Sequence, residues 1–283
     1  MIDVKKIQLK FDPSEFDIPA KPEVLSKLHA IIEKPEPDIL QVASLLSHDV
    51  GLSASVLKTL NSSYFGLRRH VSDIRQAAIL LGPVQLTSLV TTYELRRSLV
   101  GSACISLARF WDCALDVAKA GVMAARILDL RIPLEDLYAI GLFHDCGIAV
   151  LAMKYADYQE VLIESNSNYE TSITAIENRH YGVDHNIIGY TVADSWDLPD
   201  IICQSILQNH ELDIWNTCTD GNLLQAIAVL KISENIADRL RRQCDNPDWG
   251  HHREGVYKIL QIDNATYIKM EQDIQKELSA EMD

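Results

Sequence analysis

The stretch Pro133–Gly147, PLEDLYAIGLFHDCG, decides the fold. Proline at the first position of a helix gives up an N–H that would have no partner there, and glycine is the usual residue just past a helix end. The segment between them is apolar and ends in His144-Asp145. A histidine and an aspartate side by side at the foot of a buried helix can grip a metal, so the rest of the chain either supplies the other ligands or fails to.

Outward from this segment, apolar residues recur at spacings of three and four, and few stretches alternate with period two. The pattern predicts an all-α fold. Upstream, about Ser106–Leu130 reads as a long helix whose Phe110, Ala114, Val117, Gly121 and Ala124/Ala125 form a small-residue face suited to a bundle centre. Gly101-Ser102-Ala103 is the best boundary in the chain. It separates an N-terminal helical lobe (residues 1–100) from a second lobe (101–283) that carries the His-Asp helix and a C-terminal helical extension.

In the first lobe, Pro22 opens a helix to about Glu33. Asp38 can N-cap the next, Gly51 is read as its break, and Leu52 or Ser53 starts another. Two short helices about a glycine have the outline of a helix-turn-helix, but the second offers only Lys58 as a cation, which argues against DNA reading. In Asn61–His70, NSSYFGLRRH, the residues Arg68, Arg69 and His70 read as a solvated turn, with an anion or a partner's carboxylates as the alternative. Gly82-Pro83 divides the helices 73–81 and 83–98.

Downstream, short helices are expected near 148–155 and 158–166 and a longer one near 169–181. Asp184 N-caps His185–Trp196, Leu198-Pro199 turns the chain, and Asp200–His210 runs back. Each of these two helices is roughly ten to twelve residues, about 15–18 Å, so His185 and His210 return to the same end of the pair. Asn222–Arg242 bears Glu234, the stretch 243–254 reads as a polar loop, and Asn264–Met282 is amphipathic.

His144, Asp145, His185 and His210 supply imidazole and carboxylate, the ligands that suit Zn²⁺, Mn²⁺ or Fe in a hydrolytic site. None of these spacings is diagnostic alone, and a half-buried helical histidine is more often hydrogen-bonded structure. His180 lies off the face of His185 and flanks the turn.

With 283 residues, 47% hydrophobic and 23% charged, the chain has the composition of a globular protein. No run of about 18 apolar residues and no apolar leader is seen, so a cytoplasmic location is expected. Six cysteines without a C-x-x-C pair fit neither a disulfide framework nor a zinc ribbon. Residues 1–100 carry 12 Lys and Arg against 11 Asp and Glu, and the remainder 14 against 29. So acidic a second lobe repels phosphate backbones and excludes nucleic acid as its main ligand.

Leu142-Phe143-His144-Asp145-Cys146-Gly147, then Tyr181-Gly182-Val183-Asp184-His185, Gly189, Trp196, Leu198-Pro199 and His210, resemble the HD superfamily of metal-dependent phosphohydrolases. The front of the chain narrows this. Pro19–Pro22, Leu45-Leu46 with Asp49, Leu60-Asn61-Ser62-x-Tyr64-Phe65-Gly66 and the Ala77–Gly82 run before Leu86 resemble the HDOD family, the HD-related output domain of bacterial signalling proteins, over about residues 17–212.

The resemblance implies an all-helical fold and a set of metal ligands of which this chain keeps only part. Cys113 falls where the HD pattern has its first histidine, after Trp111 and Asp112; Asn209-His210 stands for a His-His pair; Glu234, one methylene longer, falls near the closing aspartate. Metal ligands would thus be His144, Asp145, His185 and His210, with Cys113 and Glu234 as doubtful additions, and Asp145 would be the catalytic carboxylate of an active enzyme. Asp112 is a further substitute ligand. The degenerate set implies a regulatory output module without turnover, acting through a signalling protein partner or a small nucleotide-like ligand. The alternative is a metal-dependent phosphodiesterase or nucleotidase. No cofactor is expected beyond a divalent transition metal, no membrane partner is expected, and a homo-oligomer is compatible.

Overall fold

The computed structural model of the chain describes residues 12–280. Among them there is no β-strand. The front of the chain forms α1 (Glu23–Ile32), α2 (Ile39–Ser47), α3 (Val50–Leu60) and α4 (Ile74–Ser98). Asp38 caps α2 as its sequence suggests, its carboxylate accepting the Leu40 and Gln41 amides. The next break falls earlier than expected. Asp49, not Gly51, separates the helices, because its carboxylate accepts the Leu52 amide at 2.9 Å and so satisfies an orphan donor of the first turn of α3. Gly82 (φ 79°) breaks α4 ahead of Pro83, as the Gly-Pro pair predicts.

The second part begins with α5 (Leu107–Ile127) and α6 (Leu134–Phe143), which cross almost backbone to backbone. A Cβ on Gly141 would lie 2.5 Å from the Cα of Ala118, so the small-residue face of α5 is what lets α6 approach. Next come α7 (Cys146–Lys154), α8 (Tyr158–Asn166) and α9 (Ile173–Tyr181). The antiparallel pair α10 (His185–Ser195) and α11 (Asp200–Gln208) follows, then the short α12 (Ile214–Thr217) and the long α13 (Gly221–Arg242). One continuous apolar core runs from Phe16 to Leu278. Residues 134–154 are apolar and long enough to cross a membrane by length and composition, but 83% of that window is buried within the fold, where it forms the core.

The stretch 243–254 is not the polar loop its composition suggests. Its second half opens α14 (Trp249–Leu260), which buries Trp249, His252, Val256 and Leu260 on one face. The charged residues between them mask this stripe in the sequence. The last helix, α15 (Asn264–Ala280), buries Tyr267, Met270, Ile274 and Leu278 against the same domain. The expected extension to Met282 lies outside the described residues.

Candidate functional site: a buried His-Asp centre

His144 follows the last residue of α6, and Asp145 precedes α7. The start of α10 lies against that junction because Gly147 carries no side chain: a Cβ there would be 2.0 Å from the carbonyl oxygen of His185. The hairpin α10–α11 then returns the chain as its spacing predicts, so the rings of His185 and His210 lie 5.0 Å apart. Glu234 arrives from α13.

In each histidine Nδ1 faces outward onto an acceptor. His144 Nδ1 is 2.8 Å from the Gly141 carbonyl, His185 Nδ1 is 2.7 Å from Glu177 Oε2, and His210 Nδ1 meets Asp248 Oδ2. Because an acceptor fixes the proton on Nδ1, each Nε2 is left to face the centre. There, His185 Nε2 is 3.4 Å and His210 Nε2 3.9 Å from Asp145 Oδ1. On the other side, His144 Nε2 is 3.2 Å from Asp145 Oδ2 and 3.5 Å from Glu234 Oε1. Asp145 Oδ1 and the Nε2 atoms of His185 and His210 are buried without a hydrogen bond of good geometry. A lone pair facing a carboxylate is repulsive, so each Nε2 needs either a second proton or a shared cation.

The donor set fits a transition-metal ion. Asp145, His185 and His210 present ligand atoms within 4.8 Å of one another, as do His144, Asp145 and Glu234. Imidazoles anchored through Nδ1 on carboxylates are the usual ligands of such ions.

The structure places other candidates elsewhere. Cys113 is an exposed residue of α5 near Asp116 and Arg241, where burial of its thiol raises its pKa; it is not brought into the cluster. Asp112 ion-pairs with Arg96 at 3.5 Å. His180 is exposed and pairs with Glu164. Asn209, beside His210, is fully buried, and its amide finds no partner.

Sequence reasoning missed an inner ring of charged residues. Glu177 is fully buried, accepts the His185 amide at 2.9 Å and a hydrogen bond from the Tyr158 hydroxyl, and so locks both the start of α10 and the His185 ring. Asp248 went unseen because its stretch reads as loop. Lys231 is fully buried on α13, its Nζ 2.9 Å from Glu234 Oε2 and 3.7 Å from Asp248 Oδ2. Its spacing to Glu234, three residues, was the visible signal. Trp215 Nε1 donates to His252 Nδ1 at 3.1 Å, and burial together with the nearby Lys231 lowers the His252 pKa to about 3, so this ring is neutral.

The electrostatics follow from this packing. Burial alone would discharge Lys231, but the Glu234 and Asp248 carboxylates outweigh it and raise its pKa. Asp145 is held well below the ordinary carboxylate range: burial pushes it up, but His144 and the nearby imidazoles of His185 and His210 prevail. With a proton on both nitrogens of His144, His185 and His210, those rings and Lys231 balance the four carboxylates of Asp145, Glu177, Glu234 and Asp248.

Comparisons with known proteins agree with this architecture. The HDOD domain matches residues 18–212. An uncharacterised protein of Treponema pallidum (strain Nichols) is 26% identical over 196 residues, 69% of this chain and 38% of that protein, so the chain spans well under half of that relative. An HDOD domain protein of unknown function from Geobacter sulfurreducens shares the fold with a TM-score of 0.61 at 20% identity, over 97% of this chain and 96% of that one. A candidate phosphohydrolase from Shewanella amazonensis SB2B does so with 0.65 at 20% identity, over 93% and 95%. A candidate signal-transduction protein from Marinobacter aquaeolei VT8 gives 0.63 at 18% identity, over 93% of this chain and 59% of that one. By the match over most of its length, this chain belongs to the HDOD family.

Proposed function

We propose that the protein is a non-hydrolytic output module of signal transduction, in which the His-Asp centre is a structural element and the work is done by binding a partner or a small ligand. One observation carries this reading: the Lys231 ammonium, buried between Glu234 and Asp248, supplies from the chain itself positive charge that a metal would otherwise bring to these carboxylates. A carboxylate already paired with an ammonium is a poorer ligand for a second cation. Access points the same way. The His144, His185, His210 and Glu234 side chains are at most 9% exposed, and Asp145 alone reaches 25%.

The test is an assay of the chain with Mn²⁺, Zn²⁺ and Fe²⁺ on bis-p-nitrophenyl phosphate and on cyclic dinucleotides, with Asp145→Ala beside it. Turnover indistinguishable from buffer in both is expected. Metal-dependent turnover that disappears in Asp145→Ala would overturn the proposal.

A second reading, a metal-dependent phosphohydrolase, is favoured by the convergence of His185 Nε2 and His210 Nε2 on Asp145 Oδ1. His144, Asp145, His185, His210 and Glu234 would hold the metal, which when bound would lower the pKa of a water and polarise a phosphoryl oxygen. Glu177 and Asp248 would orient the two imidazoles, and Lys231 would neutralise Glu234. Elemental analysis after purification without chelator separates the readings: this second one requires one or two transition-metal ions per chain, lost in Asp145→Ala.

A further inference from the structure

A well-formed cavity lies away from the His-Asp centre. It is a cleft of about 950 Å³ between α3 with the loop that follows it, the second half of α4, and the facing sides of α5 and α6. No member of the centre lines it, although Leu142, two residues before His144, does. Its size falls within the range of sites for small organic ligands.

The charge of its lining departs from that of the chain. In a protein of net charge −14, the described residues around this cleft include Lys58, His70, Arg96 and Lys119 and no Asp or Glu. Arg96 has a partial counter-charge in Asp112 at 3.5 Å, and Lys119 lies 5.7 Å from the centre of the Tyr64 ring. A local cationic cleft in an acidic protein focuses anions there and gives them little reason to bind elsewhere.

The walls are built before any ligand arrives. The NSSYFG segment that carries the family resemblance forms one side. Its loop is closed by Asn61, whose amide donates to the Val71 carbonyl at 2.8 Å while its oxygen accepts the Val71 amide at 2.7 Å. Arg126 pins the other end, donating to the Ser63 and Tyr64 carbonyls at 3.2 and 2.8 Å. Gly66 (φ 63°) gives way to that guanidinium, since a Cβ would sit 2.2 Å from it. Tyr64 stacks on Tyr138 with ring centroids 6.1 Å apart and planes 4° from parallel. Val56, Leu57 and Leu89 supply apolar wall beside the cations.

Cations at the edges, rigid aromatic and apolar walls and nucleotide-scale volume lead to one ligand chemistry. We propose that this cleft binds a phosphorylated small molecule with a planar, apolar-faced body, a nucleotide being the type, with Lys58, Arg96 and Lys119 meeting its phosphates. This deepens the reading of the protein as a ligand-binding output module, but the cleft would bind such a ligand even if the His-Asp centre were hydrolytic.

The experiment titrates the full chain with the fluorescent nucleotides mant-ATP and mant-GTP at 50 and 300 mM salt, with inorganic pyrophosphate as competitor. Saturable binding of at least one, weakened by salt, displaced by pyrophosphate, and reduced roughly tenfold or more in Lys58→Met/Arg96→Met is expected, since hydrogen bonds to charged groups are lost there. Asp145→Ala should bind as the wild type does. Absence of saturable binding by either probe, or binding that ignores the Lys58 and Arg96 changes, would overturn the assignment. Product analysis of the bound nucleotide reads the other proposal separately: hydrolysis abolished by Asp145→Ala refutes the non-hydrolytic reading and leaves the cleft standing.

Discussion

The His-Asp centre and the cleft beside α3 handle charge in opposite ways. In the centre, four carboxylates face three imidazoles and one ammonium, nearly all buried and each tied to a partner. In the cleft, Lys58, His70, Arg96 and Lys119 line an open space whose described lining holds no Asp or Glu, the Asp112 carboxylate lying 3.5 Å from Arg96. A charge that is buried and internally balanced holds the fold together; one that is exposed and unbalanced is available to a ligand. The two regions share α6, which ends in His144 and lends Tyr138 and Leu142 to the cleft.

The largest expected effect tests the internal balance. Lys231→Met keeps the length of the side chain but leaves Glu234 and Asp248 buried with one cation fewer, and should destabilise the protein by about 3–5 kcal/mol in urea unfolding. Adding Glu234→Gln should recover part of that loss, because the uncompensated charge is then removed. Full stability of Lys231→Met would mean that the centre does not depend on its internal cation, and the contrast with the cleft would collapse.

Next in size is the packing that assembles the centre. Gly147→Ala forces a methyl into the His185 carbonyl, 2.0 Å from where its Cβ would stand, and should cost roughly 1–3 kcal/mol or more by pushing α10 off α7. Circular dichroism melts read the loss. A Lys231→Met/Gly147→Ala pair that is less than additive would show both acting on one structural unit.

How much of this the sequence disclosed depends on the kind of signal involved. The helices, the Asp38 and Asp184 caps and the Gly82 break are local, and periodicity and cap chemistry reveal them. The meeting of His185 and His210 was also legible, because a helical hairpin of known rise returns to its start. Glu177, Lys231 and Asp248 were not, because their part in the centre comes from contacts between helices distant in sequence. The segment 243–254 was misread since its polar residues include the very ones that α14 and its approach bury, Asp248 and His252. Cys113 was aligned to a ligand position by its distance from Trp111, but the turn of α5 faces it toward Asp116 and Arg241.

A smaller effect follows from pH. In chelator-treated protein, His185 has its pKa raised well above the ordinary value: burial pulls it down, but Glu177 and Asp145 overcome this. His144 is raised through Asp145 and His210 through Asp248, against the same opposing burial and, for His210, against Lys231. Groups raised in the folded state stabilise fully below their unfolded value, 6.5, and lose that contribution as pH climbs through the folded value. Asp145 and Asp248 are lowered, so their contribution is present above 3.8 and is lost on acidification. Stability should therefore be greatest between these two values and decline on the alkaline side, by at most about 1.4 kcal/mol per pH unit for each proton released. Thermal melts from pH 5 to 9 should show that decline, and Asp145→Asn should flatten it. A wild-type melting temperature that rises steadily to pH 9 would contradict the assignment of protons to the centre.

The smallest effect on stability completes the comparison with the same chemical change in the other region. Lys58 is exposed on α3, and its ammonium has water around it, so Lys58→Met should shift stability by no more than about 0.5 kcal/mol. Its consequence should appear instead in the weaker binding of mant-ATP or mant-GTP, because the charge removed there is one that waits for a ligand. Lys231→Met should show the reverse, a large loss of stability and unchanged affinity in whatever fraction remains folded. If Lys58→Met unfolded the protein, the cleft cation would be structural like its buried counterpart. If it altered neither stability nor binding, Lys58 would have no part in either, and the phosphate contacts would fall to Arg96 and Lys119.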